Sequence, residues 1–274
     1  MSYKDLLVLI DPSDTGWTVA GCAAALAAEH QAHLTALYLQ HDPLIGFAET
    51  QLTPEIIRIH QENLERTERD ARSHFEEACG AAGVVGEWRS APEARMSDLM
   101  LSTRYVDLVA MRSTASSAAD LVVHRYADHV IIAAGRPVLL YPESYEHKKS
   151  FKRIMVAWDG SKEATRAVHD AMPFLTGADK VVVMEVADKY EVVIRDPASD
   201  IARHLARHGV ETESKHSVKG DISVGDELLS TAADQGIDLL VAGAYGHSRL
   251  REFALGGVTR HLVMHLTIPM LFSH

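Results

Sequence analysis

The feature that most constrains this chain is that it is written twice. Lys4-Asp5-Leu6-Leu7-Val8-Leu9-Ile10-Asp11 lines up with Lys152-Arg153-Ile154-Met155-Val156-Ala157-Trp158-Asp159 at an offset of 148. Each is an apolar run that ends in Asp and is followed by an amphipathic, Ala-rich segment. Near the end of each half, Val106-Asp107-Leu108-Val109 matches Ile237-Asp238-Leu239-Leu240, and Arg136-Pro137-Val138-Leu139-Leu140 matches Thr267-Ile268-Pro269-Met270-Leu271, at offsets of 131 to 132. A repeated unit of this size means two copies of one domain. The offset shrinks by about 17, which places an extra segment in the first copy between residues 42 and 83. With 274 residues, either copy is long enough to bury a core.

The apolar runs are short and continuous rather than alternating, and helical patterns of ten or more residues separate them. That combination predicts parallel strands covered on both faces. In the second half strands are expected near 153–158, 179–186, 211–218, 237–243 and 269–272, with helices near 161–175, 197–208, 222–235 and 257–266. In the first half strands are expected near 5–10, 33–39, 84–90, 106–111 and 137–141. The fold class is therefore α/β: two tandem Rossmann-like domains, 1–142 and 151–274, each a five-stranded parallel sheet with helices on both faces. The polar stretch Pro142 to Lys149 is the expected linker. The extra segment reads as a long helix whose i,i+4 pairs Glu62/Arg66, Glu65/Arg69 and Glu68/Arg72 describe a solvated face.

In an open α/β sheet ligands bind beyond the carboxyl ends of the strands. After the expected strand 237–243 the chain runs from Gly243 through Gly246 to Gly256, Gly257, Val258 and Thr259, a Gly-x2-Gly-x9-Gly-Gly spacing that leads into a helix. Glycines let backbone N–H groups approach an anion closely, and the unpaired N–H groups of a helix start accept phosphate charge. Between 243 and 260, Arg249, Arg251 and Arg260 stand against Glu252, a net of +2 in a chain of net charge −11. The alternative is that these glycines serve only packing, and that Asp159, just before Gly160-Ser161, is only a turn or helix-cap group.

The strand-terminal Asp at one end and this glycine spacing at the other resemble the universal stress protein family, in tandem form. The resemblance implies an adenine nucleotide, ATP alone or with Mg, held by Asp159, Val186, Gly243, Gly246, Gly256, Gly257 and Val258. The first-strand Asp and a residue after the second strand are to approach the adenine, while the glycines and a following hydroxyl hold ribose and phosphates. The hydroxyl expected after the third glycine is missing, because Gly257 stands there. Thr259, two residues on, either substitutes for it or caps the helix. The resemblance further implies a stress-response regulatory or signalling module. It also implies that the last strands, Pro137 to Tyr141 and Pro269 to Phe272, pair about a two-fold within the chain, with a homodimer left open.

The first half fails the same test. Its corresponding stretch, Met111 to Tyr126, holds no glycine, so no ATP is expected there, although Asp11 survives at the strand end. Ser113, Thr114, Ser116 and Ser117 are either anion donors or an ordinary polar loop. No nucleophile or Walker motif appears, so no enzyme is expected and a weak ATPase is the least favoured alternative. A pseudo-dimeric scaffold without nucleotide, or a binder of another small ligand, is the competing reading. The pairs His204/His208 and His261/His265 lack a third ligand at motif spacing, so no metal is expected. Cys22 and Cys79 read as reduced packing residues. The excess of 38 Asp and Glu over 27 Lys and Arg argues against nucleic acid as a partner. With no export signal and no apolar stretch long enough to span a bilayer, a cytoplasmic protein without membrane partner is expected.

Overall fold

The computed structural model describes residues 2–11, 18–39, 53–91, 96–113, 120–143, 145, 150–187, 197–218, 220, 222–246 and 257–274. The first half runs β1 (Asp5–Ile10), α1 (Thr18–His30), β2 (His33–Leu39), α2 (Pro54–Ala82), β3 (Gly86–Ala91), α3 (Met96–Thr103), β4 (Leu108–Arg112), α4 (Asp120–Ala133) and β5 (Val138–Tyr141). The second runs β6 (Arg153–Ala157), α5 (Lys162–Asp170), α6 (Met172–Leu175), β7 (Lys180–Ala187), α7 (Pro197–Arg207), β8 (Thr212–Val218), α8 (Val224–Asp234), β9 (Leu239–Gly243), α9 (Gly257–Met264) and β10 (Met270–Ser273). The segment expected as one helix over 161–175 breaks at Ala171. Pro173 has no N–H to donate and restricts the residue before it, so a short second helix starts instead.

Each half contributes five parallel strands in the order 3-2-1-4-5, and the ten strands form one sheet, β3-β2-β1-β4-β5-β10-β9-β6-β7-β8. The join is antiparallel: Val138, Leu139 and Leu140 of β5 face Phe272, Leu271 and Met270 of β10. The intramolecular pairing of last strands is thus realised, and all six residues are fully buried. Alternate residues of the central strands feed two cores. One face carries Val8, Tyr38, Ile154, Val156 and Leu271 under α1, the end of α2, α5, α6 and α7. The other carries Leu7, Val109, Leu140, Met155 and Phe272 under α3, α4, α8 and α9. The outermost strands β3 and β8 are polar, with Glu87, Arg89, Glu213 and Lys215, which discourages further edge pairing.

The extra segment of the first half is α2, 29 residues against the 11 of its counterpart α7. Thr53 caps its start, accepting from the Ile56 N–H, and Gly83 ends it in the left-handed region at φ +70°. Only the stripe Ala71, Phe75 and Cys79 is buried. That stripe docks on β3, where a Cβ on Gly86 would stand 2.5 Å from the Phe75 ring. The charged face pairs partly otherwise than the spacing indicated. Glu65 and Arg69 meet at 3.6 Å, but Arg72 turns to Glu76 at 2.7 Å and Arg58 to Glu55 and Glu62. Cys22 and Cys79 are buried free thiols. No described helix is long and apolar enough to cross a membrane.

Side chains also tie the halves together. The Tyr3 hydroxyl donates to the Asp170 carbonyl at 2.6 Å, and its ring packs 5.1 Å from Phe174. On the other face Ser113 donates to the Val263 carbonyl of α9 at 3.1 Å.

Candidate functional site

The site begins where β6 ends. The Asp159 carboxylate accepts from the Ser161 N–H at 2.9 Å, Gly160 turns the chain at φ +72°, and Ser161 caps α5 by accepting from the Ala164 N–H at 3.0 Å. Asp159 is exposed and carries the turn role that its position before Gly-Ser allowed. Two residues into α5 lies Glu163, whose residue surface is only 5% exposed. Sequence reasoning missed it. Its side chain reaches the turn after β9, where Oε1 stands 3.4 Å from the ammonium of Lys162, a side chain itself almost fully exposed.

The turn after β9 closes on α5 without room for side chains. A Cβ on Gly243 would lie 2.4 Å from the Ala164 nitrogen and 2.6 Å from the Glu163 carbonyl carbon. Packing of α5 on β9 therefore explains that glycine by itself. A Cβ on Gly246 would lie 2.7 Å from Glu163 Oε2, so this glycine admits the carboxylate. Between them Tyr245 is held at φ +58°, a conformation costly for a residue with a Cβ. Its side chain is buried, and its hydroxyl donates to Asp128 of α4 in the first half at 2.5 Å. Burial, then the bond to Asp128, pushes the Tyr245 hydroxyl well above the usual phenol range.

Thr259, the third residue of α9, is buried, and its hydroxyl oxygen accepts from the Tyr245 N–H at 3.4 Å. It fastens the turn rather than capping the helix. Gly257 opens α9, exposed, with nothing within 4 Å of where a Cβ would stand; Val258 beside it is also exposed. Gly256, Arg249, Arg251 and Glu252 lie outside the described residues. Val186 lies inside β7, one residue before the strand ends, within the expected strand 179–186, and packs half-buried against the core beneath α8 and α9. The turn thus brings Glu163 against Gly243 and Gly246 and joins Tyr245 to Thr259, while Asp159 stands in the separate turn that leads into α5. Between the end of β6 and α7 a cavity of about 370 Å³ is lined by Trp158 and Gly160, which flank Asp159, and by Pro197, Asp200, Ile201 and His204; its lining includes none of the described residues of the turn after β9. The Trp158 indole N–H is buried without a hydrogen-bond partner among the described residues.

The first half is built differently at the same place. Where β9 ends in Gly243, β4 ends in Arg112, whose side chain is buried and donates to Glu143 at 3.1 Å. Ser113 spends its hydroxyl on the α9 carbonyl at the seam, so of the two readings of this residue the anion donor is the one the structure does not favour. Thr114, Ser116 and Ser117 lie outside the described residues. As for the histidines, His204 stacks on His169 and packs edge-on against His208, while His261 lies 2.8 Å from Asp226. Among the described residues no group of three such ligands is arranged for a metal.

A sheet of this order, wound twice with helices on both faces and repeated in tandem, defines a paired Rossmann-like α/β protein. The chain belongs to the universal stress protein family, whose model matches it twice, over residues 2–142 and 150–274. The universal stress protein MJ0577 of Methanocaldococcus jannaschii is 26% identical over 151 residues, 44% of this chain and 93% of that protein. The universal stress protein Slr1230 of Synechocystis is 25% identical over 151 residues, 53% of this chain and 49% of that relative, so the match spans about half of its length. Among solved structures, a universal stress protein of Archaeoglobus fulgidus covers 98% of this chain and 95% of its own at TM-score 0.72 and 16% identity. A protein of unknown function from Pseudomonas aeruginosa, PA1789, covers 99% and 92% at TM-score 0.59 and 14% identity.

Proposed function

We propose that the second half binds one adenine nucleotide, ATP alone or with Mg, and that the chain acts as a regulatory binding module of the stress response rather than as an enzyme. The observation that carries this reading is the turn after β9. At Gly246 it admits the Glu163 carboxylate, and it leads toward the amino end of α9, where unpaired N–H groups favour phosphate. The cavity beside Asp159 falls in the size range of small-ligand pockets, and the unpaired Trp158 N–H suits a ligand that carries an acceptor. Gly256, Gly257 and Val258 would then contribute main-chain contacts to the phosphates, and Asp159 would face the base. The first half, with Arg112 buried where the second has Gly243, binds no ATP in this manner.

Calorimetric titration of ligand-stripped protein with Mg-ATP tests this. One site per chain is expected, and Gly246→Leu is expected to abolish it by displacing the Glu163 carboxylate. Two sites would refute the assignment to one half. A second reading, a scaffold without nucleotide, rests on the β5–β10 seam, which completes the paired architecture with no ligand at all. Absence of any binding would favour it.

A further inference from the structure

Glu163 carries chemistry that the glycine spacing does not account for. It is a nearly buried carboxylate whose one ion-pair partner among the described residues is Lys162, an exposed ammonium at 3.4 Å that water screens. Burying a charge is costly unless donors or a cation answer it. The side chain is aimed at the turn: Oε2 lies 2.7 Å from where a Gly246 Cβ would stand, so the loss of a side chain at 246 and the presence of the carboxylate are one device.

We propose that this carboxylate recognises the sugar of the bound nucleotide, accepting hydrogen bonds from the 2′- and 3′-hydroxyls of ribose and so selecting ribonucleotides. The inference rests on the reading of the second half as a nucleotide site. A carboxylate can only accept. Polyphosphate oxygens also only accept, so the two repel, and the phosphates belong at the α9 end of the loop, near Gly257 and Arg260. The ribose diol is the part of the ligand that offers two adjacent donors, and it lies between base and phosphates. Gly246 holds the corresponding place in the chain, after the strand and before the start of α9. Bonds to an ionised acceptor are about twice as strong as neutral ones. A site built to bond a hydroxyl discriminates sharply against the ligand that lacks it.

The test titrates the full chain with ATP, 2′-deoxy-ATP and 3′-deoxy-ATP, each with and without Mg, for the unmodified protein, Glu163→Gln and Glu163→Asp. The unmodified protein is expected to prefer ATP over either deoxy form by about tenfold or more. Glu163→Gln, equal in size and without the charge, is expected to weaken ATP by about tenfold and to leave the deoxy forms nearly unchanged, so that the preference collapses. Glu163→Asp keeps the charge but withdraws it by a methylene, and is expected to lose the preference as well. Thermal unfolding of both variants monitors the fold. Tighter ATP binding by Glu163→Gln would show that the carboxylate repels phosphate, and would overturn the proposal. So would a preference that survives in the variant, or a loss that falls equally on all three nucleotides and only with Mg, which would mean that Glu163 holds the cation. If the unmodified protein binds none of the three, the underlying site assignment fails with it. Equal binding of all three by the unmodified protein refutes the sugar role alone.

Discussion

Gly257→Ser offers a test in which the site is improved rather than damaged. The family resemblance calls for a hydroxyl after the third glycine, and this chain lacks it. The structure shows that adding one meets no obstacle: nothing lies within 4 Å of a Cβ at 257, the residue is exposed, and it opens α9, where Ser is well tolerated. The change in stability should stay within about 0.5 kcal/mol, as for surface substitutions generally. A hydrogen bond from the new hydroxyl to a phosphate oxygen, a charged acceptor, is worth about 1.5–3 kcal/mol. That corresponds to roughly 10- to 150-fold tighter binding. Titration calorimetry of both proteins with Mg-ATP at one salt concentration measures it directly, and the gain should vanish with adenosine, which has no phosphate. Unchanged or weaker ATP affinity in a variant that unfolds at the same temperature would refute the placement of phosphates at the start of α9.

Two further predictions concern the turn itself. Gly243→Ala forces a Cβ against main-chain atoms at 2.4 and 2.6 Å that cannot swing aside, so it should destabilise the fold by about 1–3 kcal/mol or more, read as a lower urea midpoint with or without nucleotide. Tyr245→Phe leaves the buried Asp128 without its donor and should cost about 1–3 kcal/mol at neutral pH. Because the folded state raises the Tyr245 phenol above its ordinary value of 10.0, the stability it contributes is fully present below that pH and is lost as pH rises beyond it. The gap between the unmodified protein and Tyr245→Phe, measured by denaturant unfolding, should therefore narrow above pH 10; a widening gap would contradict the assignment.

What the sequence made legible and what it hid follow from the range of the interactions involved. The inner strands were readable because parallel strands buried on both faces leave continuous apolar runs, such as Leu6 to Ile10 and Leu239 to Ala242, whereas the polar edge strands β3 and β8 carry no such run. The long helix α2 was readable from its charge spacing, but its partners were not, since Arg72 has carboxylates within reach on both neighbouring turns and settled on Glu76. The break before α6 was missed because the helical pattern continues through Pro173, which nevertheless cannot serve the preceding turn. At the site, the glycines announced the loop by spacing alone. Glu163 and Asp128 were invisible: each reaches the turn from a distant part of the chain, and nothing local marks a Glu in a first helical turn or an Asp on an amphipathic helix as aimed at a glycine loop or a buried tyrosine.

The antiparallel meeting of β5 and β10 has a bearing on concentration. Two separate chains joined by such a seam would part on dilution, and their melting temperature would follow the amount of protein present. Here the two edges are covalently linked, so each always sees the other at the high effective concentration that a short tether imposes. The pair formed by the two halves is consequently indifferent to how much of the protein a cell makes. The hydrogen bond from Tyr245 of the turn after β9 to Asp128 of the other half is likewise made within a molecule whose halves are never apart.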